Sequence, residues 1–155
     1  DADDVLIGDR VLDKVIAAHR AGADLTVGSM LRTDKQARYT VHFEGARHRR
    51  GGGAVWQHLR SFSKRLFDAI PDDALRLDGK YIEVAQDWAY MLPMVELAKQ
   101  PVALAEPLYL YEPSGEGKNG QRAWREEIIG RIVAKAPLHR ADAAAELGVA
   151  CGKAS

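Results

Sequence analysis

Asp1-Ala2-Asp3-Asp4-Val5-Leu6-Ile7-Gly8-Asp9 is the stretch on which the reading of the whole chain turns. A cluster of acids feeds straight into a short apolar run, the pattern of a strand that delivers carboxylates to its end. In extended backbone, residues i and i+2 point to the same face, so Asp1 and Asp3 aim two carboxylates at one point. Two convergent carboxylates suit a hard divalent cation, Mg2+ or Mn2+. Such a cation bridges and neutralises a diphosphate, which is what a nucleotide leaving group needs. The competing reading makes these acids ordinary helix caps. Asp4 in particular fits a solvated or capping role ahead of a helix that starts near Asp9. The opening has no basic n-region and no apolar h-region, so it is no signal peptide. It reads as the end of a strand whose earlier residues are missing.

Two other acidic motifs can be weighed against these residues. An EF-hand loop needs Asp or Asn at its fifth position and Gly at its sixth, and here Val5 and Leu6 stand there. A phosphatase of the haloacid dehalogenase type carries an aspartate nucleophile in D-x-D-x-[TV], which DADDV matches with Asp1 as nucleophile. That fold also needs a later lysine and a paired acid at a strand end. Asp72-Asp73 follow Pro71 after a helical segment, the wrong setting. The phosphatase stays as an alternative.

Working outward, the 155 residues fit one domain, and 46% hydrophobic residues are enough to bury a core. Lys+Arg and Asp+Glu are 22 each, so the formal charge is zero and the footprint of a nucleic-acid binder is absent. Arg47-His48-Arg49-Arg50 is a local basic exception, in a loop running into Gly51-Gly52-Gly53. It reads as a solvated loop or as a contact for an anionic acceptor. The single cysteine, Cys151, rules out a disulfide framework within the chain and fits a reducing cytoplasm. No apolar run approaches the roughly 20 residues that span a bilayer.

Helical spacing covers residues 9–20, where Val11, Leu12, Val15, Ile16 and Ala18 share a stripe and Gly22 follows as a cap. Residues 24–31 (DLTVGSML) read as a buried strand, and 38–43 (RYTVHF) as its partner. Residues 54–70 read as a helix with Leu59, Phe62, Leu66 and Ile70 on one face, broken by Pro71. A second long helix is expected over 83–100, kinked at Pro93. Residues 102–111 (VALAEPLYLY) read as a strand, with Pro107 marking an edge or a bulge. A mobile glycine-rich loop over 114–120 precedes a charged helix over 121–135 and a helical tail from Arg140. Strands interleaved with helices make the class α/β or α+β, not a bundle.

Taken in order, DADD, DLTVGSM, WQHLRSFSKRLFDAIP, DGKYIEVAQDWAYMLPMVELA and EPLYLYE resemble the family 2 glycosyltransferases, whose fold is of the GT-A type. The resemblance runs from Asp1 to about Glu112. It implies an α/β fold, the C-terminal metal- and acceptor-side part of a nucleotide-diphospho-sugar transferase, with a mixed sheet flanked by helices. Residues 1–113 would form that part, and 114–155 a mobile loop plus a C-terminal helical extension. The upstream half that holds the nucleoside would precede Asp1.

By this resemblance Asp3 is the main metal ligand, and Asp1 assists through the metal or the ribose. The family's acid pair at a helix start falls on Gln86-Asp87, so one carboxylate remains, and Asp87 takes the role of general base. Its bland reading is an acid interacting with a helix macrodipole. Trp56, His58, Arg60 and Trp88 fall on the acceptor side; Trp88 and Tyr90 read equally as core, and His58 and Arg60 as surface residues. Lys118 and Arg122 would close on the donor diphosphate. The implied partners are a nucleotide-diphospho-sugar donor and a glycan, polyol or lipid-linked acceptor, with Mg2+ or Mn2+ as cofactor. No nucleic acid is implied, and oligomeric state is left open. The complete protein would work in the cytoplasm, with the inner face of the membrane as a second setting. A domain that keeps this fold without its chemistry is the third reading, hinted at by Gln86.

Overall fold

The computed structural model describes residues 4–34, 37–39, 57–113 and 122–138. Its centre is β2 (Leu25–Arg32), whose first six residues are all buried. Leu25, Val27 and Met30 reach the apolar core, while Thr26 and Ser29 are fully buried polar residues. An unbroken buried run of this kind is what a strand covered on both faces looks like.

β2 lies parallel to the long strand β7 (Pro101–Tyr111), from Leu25 opposite Pro101 to Arg32 opposite Tyr111. The register slips on either side of Ser29, which faces Pro107. Proline has no N–H for the ladder, and the slip absorbs that defect. The strand β1 (Val5–Leu6) covers the far end of β7 in antiparallel sense. On its other edge β2 takes two short antiparallel partners, β3 (Ala37–Tyr39) along its second half and β4 (Arg60–Phe62) along its first. The result is a five-stranded mixed sheet flanked by helices. Residues 40–43 of the second expected strand lie outside the described residues.

The segment expected as one helix over 54–70 is divided instead. β4 ends at Phe62, Ser63 accepts a hydrogen bond from the Leu66 amide at 3.2 Å, and α2 (Lys64–Asp68) begins there. Two forces defeat the helical spacing. The exposed edge of β2 offers backbone partners that β4 satisfies, and a serine is a strong helix start. Gly28 permits the approach: its amide donates to the Leu59 carbonyl at 2.7 Å, and a Cβ there would sit 2.7 Å from the Leu59 nitrogen. Of the residues placed on the helical stripe, Leu66 and Ile70 are buried, but Phe62 is exposed and stacks on Phe67.

α1 (Val11–Arg20) forms as expected and buries Val11 and Val15. Its end is tied to the sheet by a polar chain. His19 Nδ1 faces the Ala23 carbonyl at 2.8 Å, so that nitrogen must donate. His19 Nε2 lies 2.8 Å from the Ser61 hydroxyl, and Ser61 Oγ lies 2.6 Å from Thr26 Oγ1.

A short 3-10 turn (Asp72–Leu75) leads into a hairpin of β5 (Arg76–Leu77) and β6 (Lys80–Tyr81). Asp78 and Gly79 at its tip both have positive φ, the two-residue turn that Asp-Gly favours.

The core helix is α3 (Gln86–Leu97), shorter than the expected 83–100 at both ends. Ala85, at φ 58°, turns the chain out of helical geometry before it. Beyond its end, Asp24 accepts the amides of Lys99 and Gln100. Met91, Leu92, Pro93, Met94, Val95 and Leu97 are all buried, so the helix is apolar nearly all round, as a core helix is. Each such side chain contributes about 1.5–3 kcal/mol. α4 (Arg122–Ala134) belongs to the same core through Ile132, with Ile128, Val133 and Leu138 packed against it. Among the described residues no helix is long and apolar enough to cross a membrane.

Candidate functional site

Parallel strands end together, and in open α/β sheets ligands sit beyond the carboxyl ends of such strands. Here those ends are Arg32 of β2 and Tyr111 of β7, opposite one another. Polar side chains gather around them. Arg32 grips Asp34 at 2.9 and 2.8 Å and lies over the Tyr111 ring, while Thr33 Oγ1 donates to Glu112 at 2.5 Å.

Asp4 is partly exposed but caps no helix. Its carboxylate accepts the Tyr109 hydroxyl at 2.7 Å and the Glu112 amide at 2.9 Å, pinning the chain just before β1 to the end of β7. Burial alone would raise its pKa, but those two hydrogen bonds outweigh burial and leave it below the ordinary carboxylate value. The residues next to it, Asp1 and Asp3, carry the expected metal ligation and lie outside the described residues, as do Trp56 and Lys118. The basic run 47–50, the loop 114–120 and Cys151 lie outside them too. Among the described residues no group of three or more His, Cys, Asp or Glu converges to hold a metal.

His58 lies over the rings of Tyr109 and Tyr111, at 4.9 and 5.9 Å between centroids and within 15° of parallel. The two tyrosines are i and i+2 on β7 and so present one floor. Burial, then the neighbouring Arg60 charge, push the His58 pKa down, against the opposing pull of Asp4 and Asp87. Both carboxylates therefore lie within electrostatic reach of one imidazole. Asp4 and Asp87 thus both border His58.

Asp87 is the second residue of α3 and its carboxylate is partly exposed. Arg60, reaching from β4, stands 3.8 Å from Oδ2, and Arg125, reaching from α4, stands 3.3 Å from Oδ1. Arg60 is thus no bare surface residue; its side chain is 13% exposed. Trp88 is half-buried against the core beside Ala89. Arg122 bonds Glu126 within its own helix at 2.8 Å.

Arg125, Tyr109, Tyr111 and Arg32 were not singled out in the sequence as site residues. The tyrosine pair had a signal, since L-Y-L-Y alternates along a strand. Arg125 had none, because nothing in spacing links it to an aspartate 38 positions earlier.

A cavity of about 520 Å³ lies between α3, α4 and the hairpin, lined by Ala89, Leu92, Pro93, Ile132, Lys135 and Leu138 among others. It contains none of Asp4, His58, Arg60 or Asp87. Its basic side chains are already engaged, Arg76 with Asp72, Arg131 with Asp78 and Lys135 with backbone carbonyls. The polar cluster at the strand ends is the better candidate, because it joins ionisable groups from β4, β7, α3 and α4 with Asp4. No protein-family model, curated protein or solved structure matches the chain.

Proposed function

We propose that this chain carries the metal-binding and acceptor-side part of a GT-A-type glycosyltransferase. It would transfer a sugar, with inversion, from a nucleotide-diphosphate sugar to an acceptor hydroxyl. The observation that supports this most is the polar cluster in which Asp4 bonds Tyr109, His58 stacks on that same ring, and Arg60, next but one to His58, reaches Asp87.

Asp87 is the general base. Displacement at an anomeric carbon in one step needs a single carboxylate to take the acceptor proton, with no covalent intermediate. Standing at a helix start and partly open to solvent, Asp87 can meet a hydroxyl while Arg60 and Arg125 hold its orientation. Asp1 and Asp3 would hold the Mg2+ or Mn2+, which supplies charge neutralisation for the departing diphosphate. His58, on its tyrosine floor, and Trp88 would border the acceptor.

The test is an assay against a panel of nucleotide sugars with and without Mn2+. Metal-dependent release of nucleoside diphosphate, lost in Asp87→Asn with nucleotide binding kept, is the expected result. Hydrolysis of phosphomonoesters with no sugar acceptor, lost in Asp1→Asn, would replace this reading with the phosphatase. Inactivity with every donor would leave an interaction domain that has lost the chemistry.

A further inference from the structure

Three aromatic rings meet at the surface where β4, α2 and α3 come together. Phe62 of β4 stacks on Phe67 of α2, with centroids 5.7 Å apart and ring planes 19° from parallel. Tyr90 of α3 stands 6.3 Å from Phe62 at a tilt of 50°. Phe62 and Phe67 remain 38% and 39% exposed, although Leu66 and Ile70, close to Phe67 in the chain, are buried. Single exposed apolar residues are ordinary, whereas rings from separate elements gathered on one surface mark a contact site.

The rings lead to Asp87 through two parallel contacts between β4 and α3. Arg60 and Phe62 are i and i+2 in the regular part of β4, and so share its face. Asp87 and Tyr90 are i and i+3 on α3, neighbours on one side of the helix. Arg60 reaches Asp87 at 3.8 Å, and Phe62 meets Tyr90. The aromatic surface thus begins one helical turn from the carboxylate. Charges of both signs border it, Lys64 with Asp68 on α2 and Arg60 with Asp87. Such a rim suits a ligand rich in neutral hydroxyls, which donate to carboxylates and accept from ammonium and guanidinium groups. The flat aromatic faces suit the C–H face of a pyranose ring. An acyl chain needs aliphatic surface, and here Leu66 and Ile70 are turned into the core.

We propose that Phe62, Phe67 and Tyr90 form a platform for the ring faces of a neutral oligosaccharide whose end lies at Asp87. Naming that oligosaccharide as the sugar acceptor rests on the glycosyltransferase reading. The platform itself does not. With that reading, the acceptor is a glycan chain held by stacking, and the hydroxyl that reacts belongs to its terminal sugar.

The experiment is calorimetric titration of the full chain with cellohexaose, chitohexaose and maltohexaose. At least one should bind, and Phe67→Ala should weaken that binding on the order of ten-fold. Phe67→Leu keeps apolar bulk for the fold yet loses the flat face, and should weaken binding as much. Phe67→Tyr keeps the face and should bind as the wild type does. No binding of any of these hexasaccharides, or equal binding by wild type and Phe67→Leu, overturns the platform. Tighter binding of dodecyl maltoside than of maltohexaose, lost in Phe67→Leu, overturns it too, since the patch is then a contact for acyl chains. Hexasaccharide binding that obeys these rules in a protein inactive with all nucleotide sugars would remove only the glycosyltransferase reading. Metal-dependent transfer with an acceptor KM unmoved by Phe67→Leu would remove only the platform.

Discussion

Residues 131–138, at and beyond the end of α4, and the start of α3 are held by contacts that differ in kind. Toward the hairpin, contacts are short and saturated. Lys135 donates to the carbonyls of Asp73, Ala74 and Arg76 at 2.8, 2.9 and 2.5 Å, and Glu96 accepts the Leu138 amide at 2.8 Å. Arg131 bonds both oxygens of Asp78, at 2.7 and 2.8 Å. At the start of α3, Asp87 faces its two arginines across 3.3 and 3.8 Å. The end of α4 and the residue after it are thus locked to the 3-10 turn and the hairpin, while Arg125 nearer the start of α4 meets Asp87 through a longer, partly exposed contact.

Substitutions at each region break or sharpen this contrast. The largest effect is expected from Asp87→Asn, which should cut transfer by about 10²–10⁴-fold, the usual worth of a general base, while nucleotide affinity is kept. Parallel loss of both in steady-state kinetics and calorimetry would make Asp87 a structural residue. Ile132→Ala should cost about 2–4 kcal/mol in urea unfolding, because the side chain is 2% exposed within the core shared by α3 and α4. An unchanged unfolding midpoint would mean that α4 is dispensable to the fold. Lys135→Met should cost about 1–3 kcal/mol, since it deprives three backbone carbonyls of their donor.

A smaller, pH-dependent effect belongs to His58. Its pKa is lowered from 6.5 by burial and by Arg60, so between that value and the folded one the unfolded chain binds more protons. Stability contributed by the neutral ring is therefore present above the unfolded value and lost as pH falls toward the folded one. His58→Phe keeps a ring on the tyrosines and should flatten the decline in urea midpoint between about pH 7.5 and pH 5.5. A decline of the same slope in the variant would assign it to another group. The smallest effect is expected at the loose contact. Arg125→Gln should shift stability by no more than about 0.5 kcal/mol, because the pair is long and partly exposed. A cost comparable to that of Lys135→Met would erase the distinction between the two regions.

Much of the framework was legible in residue order. Val11 and Val15 on α1, the buried run of β2, the bulge at Pro107 and the apolar α3 all follow from local rules of period, propensity and proline chemistry. The Asp-Gly turn at 78–79 was equally readable, and the hairpin around it passed unassigned. Residues 54–70 misled, because Leu59, Phe62, Leu66 and Ile70 keep a helical spacing that the free edge of β2 and the Ser63 cap override.

The sequence by itself determined the α/β class, the core helix and the acids at its front and at the start of α3, since each depends on neighbours a few positions apart. Only the tertiary structure decided that Asp4 anchors β7, that His58 lies on Tyr109 and Tyr111, and that Arg60 and Arg125 flank Asp87. Those meetings join residues far apart in the chain. They are set by strand pairing and by which helix faces bury apolar surface, quantities that no local spacing encodes.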